Sequence, residues 1–301
     1  MKRYQAKRSC IVVGVGFLVC LTAASLTAFA DPWEDQVKQA YDYVNWGPDT
    51  GRVIAGIFVT RQVLPWLNDM WKVWPEDEYS ISRVAGGSVS RIRQYWIGEI
   101  EDPEKPQSEL LIEMVVGPSH IAVQEYLISR YVASQALVVR ARGRDYGLSL
   151  GHLSFVLTDD GGATYSEIDF ARHNVLFILS AEGPIQGELR DIAIALDQAL
   201  RQQPEEAAFE DLGDLPKLDY FCMQDSEIVV GDSSPIIVTF EKPQQWSVRY
   251  LWDFAEGGID RDADGRFVYI GDTLGAQWIR LTVINSLGLF VIEEIQIDVV
   301  P

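Results

Sequence analysis

Cysteine is scarce and badly placed for cross-linking. Of three in 301 residues, Cys10 and Cys20 fall within the first thirty positions and only Cys222 lies beyond them. Once those thirty residues are set aside, no intramolecular disulfide can form, so the fold must rest on its hydrophobic core. Cys222 is then expected to behave as a small core or sub-surface hydrophobe. Histidine is equally sparse. His120, His152 and His173 are the full set, and no two share the i, i+4 spacing of a zinc-binding helix. What remains is a weak metal set of His152 and His173 meeting across adjacent strands, with Asp169 or Asp159 near. No G-x-S-x-G elbow occurs. Positive charge is also short: 25 Lys and Arg face 44 Asp and Glu, a net charge of −19. The densest basic cluster, Arg140–Arg144 (RARGR), is too short to reverse that field. Nucleic acid and anionic headgroups are therefore excluded as expected partners.

The N-terminus reads as an export signal. Lys2, Arg3, Lys7 and Arg8 precede an uncharged stretch, and Ala28 and Ala30 in TAFA hold the small-residue positions of a cleavage site before Asp31. Val19 ahead of Cys20 argues against lipid attachment. The uncharged run from Cys10 to Ala30 is long enough to span a bilayer if it is kept, so any membrane contact is expected only through an uncleaved signal. Cleavage would move the net charge from −19 to −23 by removing four positive residues. The expected location is extracytoplasmic, whether secreted, periplasmic or at the cell surface, and the acidity is read as solubility there.

Beyond the signal, the chain divides into an α+β domain over 31–200, an acidic linker over 201–219 and a β-rich tail over 220–301. The linker, RQQPEEAAFEDLGDLPKLD, carries six acidic residues and two prolines with no long apolar run. In the body, Ser108–Val116 reads as a strand and His120–Ala136 as a helix. Two further strands lie near Gly151–Leu157 and Asn174–Ser180, with the hairpin signal TDDGGAT between them. Ile185, Leu189, Ile192, Leu196 and Leu200 form the clearest helical stripe. Strands grouped between helices predict an antiparallel sheet with helices on one face. SEIDFARHNVLFILSAEG loosely resembles strand patterns of exported bacterial domains. Five tryptophans crowd Asp31–Pro75: Trp33, Trp46, Trp66, Trp71 and Trp74. Leu64, Leu67, Met70 and Trp71 are expected to pack as a helical stripe on the body; sugar stacking or a membrane interface is the alternative use of such rings.

The tail has six strand-length apolar runs separated by GDSSP, EGGIDRDADG, GDTLG and NSLG, which predicts a β-sandwich. Ile279, Leu281 and Val283 share one face of a strand, and Ile295, Ile297 and Val299 share one face of another. YLWDFAEGG resembles the W-D-F-G-D-G turn of polycystic-kidney-disease (PKD) repeats, and LGAQWIRLTVINSLG resembles their last hairpin. The resemblance spans about residues 227–301. It implies an immunoglobulin-like sandwich with Trp252 as a central core residue and a role in extracellular binding or spacing. Ala255 and Glu256 depart from the repeat's turn residues.

One stretch suggests metal. Asp260, Asp262, Asp264 and Gly265 reproduce the first half of a calcium loop, D-x-D-x-D-G. The twelfth position, which should be glutamate, is Gly271, so Asp272 or Asp253 would have to complete the shell. The competing reading is a solvated acidic hairpin that guards a sheet edge. The expected function is a non-catalytic binding or cell-envelope interaction protein whose partner is a protein or surface polysaccharide. The alternative is an exported hydrolase with an accessory tail, for which Glu113 and Asp169 or His152 would be the acid–base candidates.

Overall fold

A computed structural model describes residues 32–47, 51–59, 62–67, 71–73, 77–98, 107–134, 139–159, 162 and 164–301. The expected signal segment, together with Met70 and Trp74, lies outside the described residues. Among the described residues no helix is long and apolar enough to cross a membrane.

The body is built on one eight-stranded antiparallel sheet. Its strands are β1 (Trp71–Val73), β2 (Glu78–Val84), β3 (Gly87–Gly98), β4 (Glu109–Val116), β5 (Ala141–Arg142), β6 (Leu153–Asp159), β7 (Thr164–Arg172) and β8 (Val175–Glu182). Their order is β1-β3-β4-β8-β7-β6-β5, with β2 also on β3. Helices α1 (Pro32–Ala40), α2 (His120–Ala133) and α3 (Leu189–Arg201) accompany them.

Alternation along the central strands produces two buried faces. Ile112, Met114, Ile168, Phe170, Phe177 and Leu179 meet the apolar stripe of α3 and the segment 53–67. Val115, Phe155, Ala171, Leu176 and Ile178 meet α2 and residues of 37–46. Both faces are therefore covered, which corrects the expectation of helices on one face only. The reason is visible in β4 and β8, whose residues are apolar on nearly every position. Such strands need cover on both sides. The stripe Ile185, Leu189, Ile192, Leu196 and Leu200 is buried as expected. Leu64 and Leu67 are buried too, with Leu64 in a bend and Leu67 in helical conformation, and residues 68–70 of the expected stripe lie outside the described residues. Trp46 is buried, and Trp33 donates its indole N–H to Val132 O at 2.9 Å. The sequence reading missed the β2–β3 hairpin and the whole of β7.

The tail forms two four-stranded sheets, compatible with a β-sandwich. One joins β10 (Glu227–Val229), β16 (Phe290–Val300), β15 (Gly275–Asn285) and β12 (Val248–Phe254); the other joins β13 (Gly258–Arg261), β14 (Phe267–Ile270), β11 (Ser233–Phe240) and β9 (Leu218–Met223). Ile228, Ile279, Ile297 and Val299 of the first sheet share a core with Ile236 and Tyr269 of the second. Trp252 packs edge-on to Phe267, with centroids 5.0 Å apart, but is only half-buried. The fully enclosed ring is Tyr269, whose hydroxyl donates to Glu256 O at 2.7 Å. The expectation of Trp252 as the central residue is corrected accordingly.

The last hairpin enters the body. Residues 281–290 are buried without interruption, on inward and outward positions alike. Ile284, Leu287, Leu289 and Phe290 belong to the same core as Phe177 and Leu196. Ser90 Oγ donates to Gly288 O. Gly288 needs its φ of +78° for the turn, and a Cβ there would meet Val116 Cγ2 at 2.5 Å. The segment 201–219 is held down as well: Phe209 and Leu212 are buried, and Val53 pairs with Glu206 in a bridge. Asp214 O accepts from Asn285 Nδ2 at 2.8 Å. A stretch poor in long apolar runs can still lie ordered when single hydrophobic residues reach an existing core.

Candidate functional site: a groove between the sandwich sheet and the β2 strand

With Ile279, Leu281 and Val283 pointing inward, the pleat of β15 turns Trp278, Arg280 and Thr282 outward. Register then aligns partners on both sides. Asp253 of β12 and Glu294 of β16 lie opposite Arg280, while Leu251 and Ile292 lie opposite Thr282. Arg280 donates from Nη1 to Asp253 Oδ2 at 3.3 Å and from Nη2 to Glu294 Oε2 at 2.8 Å. Its guanidinium also lies 5.1 Å from the centre of the Trp278 ring. The carboxylates are exposed and the pairs are screened, so they add little stability. What they do is fix the guanidinium plane beside the indole, since an arginine held in a fork loses fewer rotamers on meeting a ligand.

Ile81 and Arg83 of β2 form the opposing wall, and together these residues line a groove of about 710 Å³. An indole face, aliphatic side chains and planar polar groups at one mouth suit a ring ligand with one apolar face and equatorial hydroxyls. The carboxylates accept and the guanidinium donates.

A second polar constellation lies beneath α2. Glu113 and Asp169 are both 0% exposed and stand on strands separated by β8, each opposite Ile178. Glu113 accepts from Tyr126 Oη at 2.8 Å and from Arg93 Nε at 2.5 Å. Asp169 accepts from Tyr131 Oη at 2.6 Å, and Arg140 Nε donates to neighbouring Glu167 at 2.5 Å. Tyr41 stacks on Tyr131 with centroids 4.4 Å apart. Burial first, and then the charge of Glu167, push the Asp169 carboxyl well above its ordinary range. Burial acts the same way on Glu167, but the Arg140 hydrogen bond and charge outweigh it and hold that carboxyl low. The two acids thus favour sharing one proton against one arginine. Both carboxylates are buried and held by tyrosine and arginine, although Asp169 Oδ1 has no hydrogen-bond partner among the described residues and Arg93 and Arg140 are part-exposed. Enclosed carboxylates of this kind suit a structural network better than a site that a substrate reaches.

Of the remaining sequence candidates, His152 meets His120 edge to face at 6.3 Å between centroids, and burial, followed by the charges of His120 and His173, lowers the His152 pKa to about 4. His173 sits in the β7–β8 turn with φ 52°, its Nε2 3.2 Å from Glu205. Asp169 belongs to the cluster under α2. Cys222 is half-buried on β9 and forms no disulfide.

In the acidic hairpin, Asp262 accepts the backbone N–H of Asp264 and of Arg266, each at 2.9 Å, and Arg266 Nε at 2.8 Å. Arg266 Nη2 is also 3.1 Å from Asp264. The backbone N–H of Arg266, followed by its side chain, holds the Asp262 carboxyl below its ordinary range. Asp260 accepts from Arg261 N, and Asp253 is turned to Arg280. Among the described residues no group of three or more His, Cys, Asp or Glu side chains converges as a metal site.

Sequence reasoning identified the inward face of β15 but not the groove. Its signal was present in WIRLTVI: a strand with one strict apolar face places Trp278 and Arg280 together on the other. The carboxylate partners come from 27 positions before and 14 after, and only register brings them in.

No family model matches the chain, and no curated protein matches it in sequence.

Proposed function

We propose that this is an extracytoplasmic, non-catalytic binding protein whose tail presents a saccharide-binding groove against the body. The observation that carries the reading is the Asp253–Arg280–Glu294 row fixed beside the part-exposed ring of Trp278. The ligand class that fits is a surface polysaccharide, whose sugar rings offer a face for the indole and hydroxyls for the fork. The finer identity of the tail as an immunoglobulin- or PKD-like module draws support from its strand order. A β9-β11-β14-β13 sheet opposite a β12-β15-β16 sheet has the ABED and CFG arrangement of such sandwiches. Binding is favoured over hydrolysis because Glu113 and Asp169 are enclosed, each occupied by a tyrosine and, for Glu113, an arginine.

Titration of the whole protein against a panel of neutral and acidic oligosaccharides tests this. Trp278→Ala and Arg280→Ala should each weaken binding of the best oligosaccharide at least tenfold, while Asp264→Asn, at a distant exposed turn, leaves it unchanged. Absence of saccharide binding, or equal binding by all four proteins, overturns the proposal.

A further inference from the structure

Among the described residues, the α2-covered face of the body's sheet is not packed along its whole length. Beyond the Glu113 row, Tyr95 and Leu111 lie opposite each other, and beyond these Ile97 lies opposite Glu109, which in turn faces Glu182 on β8. Tyr95, Ile97 and Leu111 are part-exposed and, among the described residues, belong to none of the packed cores. They floor a groove of about 480 Å³ whose walls carry Glu78, Glu109 and Glu182.

Two physical features define what fits. An apolar floor on an exported sheet face gains from being removed from water, at a volume suited to two or three side chains. The walls are of one sign. Glu109 and Glu182 are exposed and directly opposite in register, an arrangement that repels. Among the basic residues described, Arg93 lies 3.9 Å from Glu78 but is drawn to Glu113 at 2.5 Å, and Lys72 of β1 stands opposite Ile97 in register. Three carboxylates, Glu78, Glu109 and Glu182, still give the walls an acidic excess around the apolar floor.

We propose that this groove docks a cationic amphipathic segment of a partner protein, with apolar side chains on Tyr95, Ile97 and Leu111 and lysine or arginine against Glu109 and Glu182. The groove shares no lining residue with the saccharide groove, and the proposal survives that reading's failure.

The test uses the whole protein and three labelled twelve-residue peptides: alternating Lys and Leu, alternating Lys and Ser, and alternating Glu and Leu. Fluorescence anisotropy should show the Lys–Leu peptide binding at least tenfold tighter than either other peptide. Glu109→Gln with Glu182→Gln should weaken it at least tenfold, with the melting temperature not lowered. Asp219→Asn with Glu227→Gln, which removes two exposed acids elsewhere, should not weaken it. Equal binding of the Lys–Ser peptide would mean attraction to overall acidity alone and overturns the proposal. So does equal loss in the two double variants, or no binding by the wild-type protein. Should the wild-type chain form dimers that Glu109→Gln with Glu182→Gln dissolves, the occupant is a second copy and the proposal falls.

Discussion

Leu289→Ala tests whether tail and body are one cooperative unit. Leu289 is 0% exposed and lies in the core that also holds Phe177 and Leu196 of the body. Truncation removes three carbons, about 2.4 kcal/mol of transfer free energy at roughly 0.8 per methylene. A neighbourhood that collapses only in part adds a cavity cost, giving about 3–5 kcal/mol in total. At roughly 2–3 °C per kcal/mol for a chain of this size, the melting temperature should fall by about 6–15 °C. Scanning calorimetry reads this directly, with near-ultraviolet circular dichroism reporting the aromatic cores. Because the side chain is shared, both halves should melt together and shift together. Two separate transitions of which only one moves, or a shift below about 2 °C, would refute the shared core.

Three further outcomes follow from the same contacts. Gly56→Ala places a Cβ 2.1 Å from Leu287 O, a backbone atom that cannot swing away, so it should cost about 3 kcal/mol by denaturant titration although the added group is a single methyl. Asp169 binds its proton more tightly folded than unfolded, so its contribution is complete below about pH 4 and is lost as pH rises through the folded value. Asp169→Asn should therefore gain on the wild type between pH 4 and pH 8, whereas Glu167→Gln, which loses a depressed carboxyl, should be weaker at neutral pH with the gap closing below about pH 4.5; midpoints measured across that range check both signs. Tyr269→Ala should destabilise more than Trp252→Ala, by about 3–5 against about 2–3 kcal/mol, since only the tyrosine is fully enclosed; the reverse order would relocate the sandwich core.

Periodic segments were legible in the sequence. The α3 stripe and the inward residues of β15 and β16 are buried where alternation placed them, because each pattern is written locally in one element. Non-local choices were not. NSLG has the composition of a solvated turn, yet Ser90 and Gly56 leave space for it at the end of the body's sheet, and nothing within the turn announces that. Asp262 resembles a calcium ligand until Arg266, four residues on, is found closing on it. Arg280 became a candidate only through its partners on two other strands. Local chemistry fixed the elements; register and docking made the sites.

The buried turn also bears on the order in which the polypeptide can mature. Ribosomes deliver the buried residues between Val53 and Leu67 early, yet the cavity they wall is filled by side chains near position 287, far later in the chain. A nascent chain stays unfinished until that hairpin arrives. Early termination anywhere before the closing hairpin would strand an open, sticky sheet, a substrate for proteolysis rather than a shortened but working protein.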